Sequence, residues 1–245
     1  MDYKQFISLW FAEDIGDGDH TTLSSIPADA MGTSRLIIKE EGVIAGVEVA
    51  KEIFHAFDPE LKMEVYIQDG TEVKPGDVAF EVTGKIQSLL QTERLMLNIM
   101  QRMSGVATTT RRYAKALEGT KTHVLDTRKT TPGLRLLEKE AVKIGGGMNH
   151  RIGLFDMILL KDNHVDFAGG IAKAIDRAHA YLKEKGKDLK IEIEVRNFDE
   201  LNQVLEHGGV NRIMLDNFTP ENTKKAVEMI AGRFETDGIF AGELL

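Results

Sequence analysis

Apolar positions change rhythm twice along this chain. Residues 2–12 place Phe6, Ile7, Trp10 and Phe11 at helical spacing, with Asp2 as the expected cap. Residues 13–20 form an acidic, Gly-rich stretch, expected to be a loop. Residues 33–85 carry the pattern of short strands and turns. Segments 34–39 and 43–44 are β-rich, Asp69-Gly70 and Pro75-Gly76-Asp77 are turn signals, and 78–82 alternate. A helix is predicted over 47–57 between them, and a long one over 88–117 with Gly105 as a point of interruption. Beyond it, short apolar runs at 123–125, 157–160, 191–195 and 212–215 alternate with helical segments at 132–144, 170–185, 199–207 and 220–230. That alternation predicts parallel strands joined by helical crossovers. Within 191–195, Glu192 and Glu194 fall on one face of the strand.

Polar residues follow the apolar runs of the second half. Asp126-Thr127-Arg128-Lys129 follows the first, Lys161-Asp162-Asn163-His164 the second, Glu194 closes the third, and Asp216-Asn217 follow the fourth. Active sites of α/β barrels are built at the C-terminal ends of their strands, so the placement points to one site. Each residue alone has a plainer reading: Arg128 and Lys129 as a solvated turn, His150 or His164 as an ordinary polar histidine, Glu194 and Asp216 as ion-pair partners. Gly145-Gly146-Gly147 lies after a helix and before a strand. It reads either as a packed loop or as backbone N–H groups open to an anion.

Charge sharpens the picture. The 245 residues carry a net charge of −8, yet residues 101–164 hold 12 Lys and Arg against 6 Asp and Glu. A local basic cluster in an acidic chain suits a small, highly charged anion and argues against nucleic acid as a partner. With 42% hydrophobic residues the composition is that of a globular protein. No cysteine is present, which excludes disulfides, thiolate metal sites and a Cys nucleophile. No apolar run approaches membrane-spanning length, and residues 1–11 do not read as a signal peptide, so a cytoplasmic location is expected. Arg forks suit carboxylates and phosphates, Lys supplies point charges, and the Glu194–Asp216 pair suits a magnesium ion. Two further patterns are weak. Asp14, Asp17 and Asp19 lack the closing Glu of a calcium loop, and 69–85 lacks the context of a biotinyl carrier around Lys85.

Several motifs, in order, carry a family resemblance: EDIGDGDHTT (13–22), ER (93–94), SGVAT (104–108), DTRKTTPGLR (126–135), GGGMNHR (145–151), LLKDNH (159–164), IEIEV (191–195) and IMLDN (213–217). Through them the chain resembles the quinolinate phosphoribosyltransferases. The resemblance implies an α/β fold with an N-terminal α/β sandwich (1–105) packed on an incomplete α/β barrel of parallel strands (106–245). It implies that quinolinate and phosphoribosyl pyrophosphate give nicotinate mononucleotide, pyrophosphate and CO2, with Mg²⁺ as cofactor. It also implies a homodimer with shared active sites, or a larger homo-oligomer of such dimers. Carried over by position, Arg128, His150, Arg151 and Lys161 hold the two carboxylates of quinolinate, and Arg94 reaches the partner subunit's site. Lys129, Glu194 and Asp216 serve the ribose-pyrophosphate, the two acids also binding the metal. His164 and Asn217 support the substrates. Of the acids in IEIEV, Glu194 is preferred because it is nearer the strand end.

After a strand near residue 235 the family continues with a Ser/Gly-rich loop, a helix, a strand and an SVGALTH-like segment. Here the sequence reads RFETDGIFAGELL (233–245) and stops. The expectation is a shortened product with a barrel lacking its last strands, an open sheet edge, and at best a partial phosphate loop at Gly238 and Gly242. The alternative functions are a related phosphoribosyltransferase for another aromatic acid, or an inactive truncated relative that only binds anions.

Overall fold

The computed structural model describes residues 3–239, which fall into two compact units divided between His150 and Arg151. The first opens with α1 (Lys4–Ile15) and α2 (His20–Ser25). Tyr3 stands at the N-cap of α1, and Asp2, the expected cap, lies outside the described residues. The acidic stretch is no cation loop: α1 runs into it, and Asp19 caps α2 by accepting a 3.0 Å hydrogen bond from Thr22 N.

Five strands follow in chain order: β1 (Met31–Ile37), β2 (Gly42–Val43), β3 (Lys62–Val65), β4 (Glu72–Val73) and β5 (Val78–Lys85). They pair antiparallel as β1-β5-β3 and β2-β4. Lys85 closes β5 and is ion-paired to Glu60 at 3.0 Å, so it does not sit at a carrier-type turn. Helix α3 (Val47–Phe57) covers the predicted residues and buries Val47, Ala50, Ile53 and Phe54. Its start is capped from outside, where Asp69 accepts from Val47 N at 2.9 Å and Glu48 N at 3.3 Å.

The axis of this unit is α4 (Ile86–Ala116), 31 residues long. Its buried positions Leu89, Thr92, Met96, Ile99, Met100, Met103, Ala107 and Thr110 recur every three or four residues, one continuous stripe facing the core. Gly105 does not interrupt it. It is exposed, and a Cβ there would meet nothing, so the residue costs some helix propensity and no packing. Helix α5 (Arg135–Ile144) packs on α4. The strand expected at 123–125 is reduced to one parallel bridge, Leu125 to Met148; three residues paired at a single point cannot build a ladder.

The second unit is a parallel sheet of β6 (Ile158–Leu160), β7 (Ile191–Val195), β8 (Arg212–Asp216) and β9 (Glu235–Ile239), in that spatial order. Between the strands run α6 (Asp162–Ala168), α7 (Ile171–Lys185), α8 (Phe198–His207) and α9 (Pro220–Ile230). Ile191, Ile193, Val195, Ile213 and Leu215 join Ile175, Leu201, Val204, Ala226 and Ile230 of the helices in one core. Alternation along β7 and β8 sends Glu192, Glu194, Arg212, Met214 and Asp216 to the opposite face. Among the described residues β9 pairs only with β8. Residues 240–245, on which the expectation for Gly242 falls, lie outside the described residues. Also among the described residues, no helix is long and apolar enough to cross a membrane.

Candidate active site

Lys161, Glu194 and Asp216 come together at the C-terminal ends of β6, β7 and β8. Lys161 is the first residue after β6, with its Nζ 4.0 Å from Glu194 Oε2. The turn beneath it is fixed because Lys161 N donates to His164 Nδ1 at 2.9 Å. His164 therefore shapes this turn through Nδ1, which accepts.

Glu194 is 8% exposed, and its buried Oε2 has no hydrogen-bond partner. Burial pushes its carboxyl above the ordinary range, and the Asp216 carboxylate beside it adds to the rise, while Lys161 pulls the other way. Two hard oxygen donors under mutual repulsion, one with an orphaned oxygen, fit a hard divalent cation. Asn217 follows at φ 56°, a left-handed conformation that few residues other than Gly, Asn and Asp adopt readily. A left-handed residue directly after β8 re-aims the chain beyond Asp216.

Glu192 has a different surrounding. It is fully buried with Arg212 Nη1 at 3.9 Å, and the same guanidinium reaches Glu235 at 2.7 Å and Asp237 at 3.7 Å. Glu192 lies nearer the strand start, next to Arg212.

The first unit carries Arg94, Arg128, Lys129 and His150. Arg94 is exposed on α4. Lys129 is exposed, on a loop whose local bond runs from Lys129 N to Thr127 Oγ1 at 3.0 Å. Arg128 is half-buried, and its buried Nε–H has no hydrogen-bond partner. An orphaned guanidinium donor beside a solvent-facing lysine is a ready anion contact. His150 is half-buried, and its backbone N donates to Asp126 Oδ1 at 2.9 Å. Arg151, in the second unit, donates from Nη1 to Met157 O at 3.3 Å.

Of the two readings of the three glycines, the structure favours the packed loop. Each N–H is already spent in the end of α5: Gly145 N on Ala141 O, Gly146 N on Lys143 O and Gly147 N on Val142 O, all at 2.9 Å. A Cβ on Gly145 would lie 2.5 Å from Ala107 O and 2.7 Å from Thr110 Cβ. One on Gly147 would lie 2.8 Å from Val142 Cγ1. Only Gly146 needs its conformation, at φ 95°. Arg111 caps the same turn, donating to Gly145 O at 3.1 Å and Ile144 O at 3.3 Å.

Sequence reasoning missed the residues behind the basic loop. Asp126 is buried with Lys139, its ion-pair partner, at 6% and 2% side-chain exposure. Asn149 Nδ2 donates to Asp126 Oδ2 at 2.5 Å, and Lys139 Nζ to His150 O at 3.1 Å. Glu138 accepts from Arg102 Nε at 2.8 Å and from Thr131 N at 3.1 Å. Burial opposes its charge, but the bonds from Thr131 and Arg102 outweigh that and hold its carboxyl below the ordinary range. One signal was available: Leu134, Leu137, Glu138 and Ala141 lie on one face of a helix, which puts a charge in an apolar stripe.

Acids and a lysine at the C-terminal ends of parallel strands define an α/β enzyme of the strand-end type. Comparison with known proteins makes this specific. The N-terminal domain model of quinolinate phosphoribosyl transferase matches residues 19–104, and the C-terminal domain model matches 106–241. The chain belongs to the quinolinate phosphoribosyltransferase family. It is 43% identical to quinolinate phosphoribosyltransferase [decarboxylating] 1b of Nicotiana tabacum over 251 aligned positions, covering 96% of this chain and 71% of that one. It is 45% identical to the chloroplastic nicotinate-nucleotide pyrophosphorylase [carboxylating] of Arabidopsis thaliana, covering 96% and 72%. Among solved structures, NadC of Streptococcus pyogenes superposes with a TM-score of 0.92 at 36% identity, over 99% of this chain and 86% of that one. The nicotinate-nucleotide pyrophosphorylase of Francisella tularensis gives 0.87 at 38%, over 98% and 84%.

Proposed function

We propose that this protein transfers a phosphoribosyl group from phosphoribosyl pyrophosphate to quinolinate with decarboxylation, forming nicotinate mononucleotide for NAD biosynthesis. The observation that carries the reading is the convergence of Lys161, Glu194 and Asp216 at three adjacent strand ends, in a chain whose two halves both match the family. Arg128, Arg151 and Lys161 supply the cations, and His150 a ring hydrogen-bonding group, for the two carboxylates of quinolinate, and Lys129 the charge opposite the pyrophosphate. Glu194 and Asp216 are the residues that would hold Mg²⁺, which when bound offsets the negative charge of the departing pyrophosphate.

The chain's own groups act mainly by position and field. The cations fix the pyridine ring so that its nitrogen faces C1 of the ribose. As the bond from C1 to pyrophosphate breaks, the carboxylates stabilise the positive charge that develops on the sugar. The ring nitrogen becomes cationic on bonding to C1. Loss of the neighbouring carboxylate as CO2 then leaves a stabilised carbanion, which takes a proton. No side-chain nucleophile is needed. A shared-site homodimer, with Arg94 serving the partner, and a cytoplasmic location belong to the same reading.

The test is to mix purified protein with quinolinate, phosphoribosyl pyrophosphate and Mg²⁺ and to measure nicotinate mononucleotide and CO2. One CO2 per nucleotide is expected. Folded protein that forms no nucleotide at saturating substrates overturns the proposal. Activity on nicotinate without CO2 release would assign the chain to a different phosphoribosyl transfer.

A further inference from the structure

We infer that Glu138 and Lys139, adjacent residues of α5, are positioning residues that pin the two ends of the cationic loop 126–131. The inference deepens the proposed function, since it rests on Arg128 and Lys129 being the substrate contacts that the loop presents.

The geometry is a two-point fastening. At the first end Asp126 is held by Lys139 Nζ, by Asn149 Nδ2 at 2.5 Å and by His150 N at 2.9 Å. At the other end Thr131 N donates to Glu138 Oε2 at 3.1 Å, and Arg102 Nη2 reaches Thr131 Oγ1 at 3.3 Å. Both anchors leave the same helical turn, so the end-to-end span of the loop is set by α5 and not by the loop itself. Between the anchors Thr127 and Lys129 are exposed, and the Lys129 amide makes only its local bond to Thr127. Lys139 also holds His150 by its carbonyl, at 3.1 Å. One ammonium thus ties Asp126, two residues before Arg128, to a second predicted substrate contact.

A plain core role is the alternative. Buried ion pairs are poor stabilisers, because desolvating both charges costs much of what their attraction returns, whereas fixing a unique arrangement is their best-attested use. A rigid loop matters here because displacement of a binding group by about 1 Å can cost roughly 10²-fold in rate. The Lys139 and Glu138 anchors supply that rigidity.

The experiment compares the full chain with Lys139→Met and Glu138→Gln, with Lys139→Arg as the conservative control. Hydrogen exchange of residues 127–131 is read alongside kcat, KM for quinolinate and Tm. Both neutral variants should raise exchange in the loop by roughly 10-fold or more, lower kcat and raise KM per folded molecule, and Lys139→Arg should recover part of each. Unchanged loop exchange overturns the inference. So does a variant that only loses Tm while its folded fraction keeps normal kcat and KM. If Lys139→Met does not fold, Glu138→Gln, whose single carbonyl oxygen cannot accept from both Arg102 Nε and Thr131 N, decides alone. Exchange reads the loop without any turnover, so a failure of the proposed reaction would show separately, as absence of product from the unaltered protein.

Discussion

At the scale of single residues, Glu194 is held in a costly state. Glu194 combines burial, a neighbouring carboxylate and an orphaned oxygen. An acid whose pKa is raised on folding lowers stability as pH rises from the unfolded to the folded value, and that deficit persists above both. Glu194→Gln should therefore raise Tm at neutral pH without Mg²⁺, an advantage that shrinks below the ordinary carboxylate range. The same variant should lose roughly 10²-fold in kcat/KM if the carboxylate stabilises developing charge. Thermal melts at several pH values and steady-state rates check both; a lower Tm at pH 7 would refute the account. Much of this site was legible in sequence because polar residues directly follow apolar runs, as Lys161 does after Leu160 and Asp216 after Leu215. Glu138 and Lys139 were not. Charges on a helix ordinarily read as its solvated side, and only the partners from distant segments reveal why these two turn inward.

At the scale of elements, helices α3 and α9 occupy the predicted residues because their apolar spacing and their boundaries agree. Pro220 at the start of α9 and Thr219 as its cap, accepting from Asn222 N at 3.2 Å, leave little freedom. Short elements escaped: α2 and α6, of six and seven residues, are set by caps and turns more than by periodicity. Gly145-Gly146-Gly147 left two readings open, since a run of glycine signals either open backbone or close packing, and only the neighbours decide. Because Gly145 lies against Ala107 O and Thr110, Gly145→Ala should destabilise the protein by about 1–3 kcal/mol through overpacking. Urea unfolding measures this, and a loss under about 0.5 kcal/mol would mean that α4 and α5 separate more easily than their contact implies.

For the whole molecule, the order and spacing of the motifs led to the family, and both domain models agree with it. Assembly is a different matter, because one chain does not display the partner that a shared site requires. If Arg94 serves the neighbouring subunit, Arg94→Ala and Arg128→Ala proteins, each nearly inactive, should regain activity on subunit exchange. At equal amounts, up to about a quarter of wild-type turnover is expected, as half the dimers would carry one intact site each. No recovery after exchange has been demonstrated by mass would remove the shared site.

The two family domain models meet at residues 104 and 106, and both lie within α4. The seam between the halves is thus a continuous helix of roughly 46 Å at 1.5 Å per residue. A recombination point there has to conserve helical phase. Inserting a single residue at Gly105 turns everything downstream by about 100°, which carries Ala107 and Thr110 off the buried stripe. Exchange of halves between relatives is therefore free in sequence but quantised in length: insertions of about seven residues, two full turns, keep the stripe in phase, and most shorter ones do not.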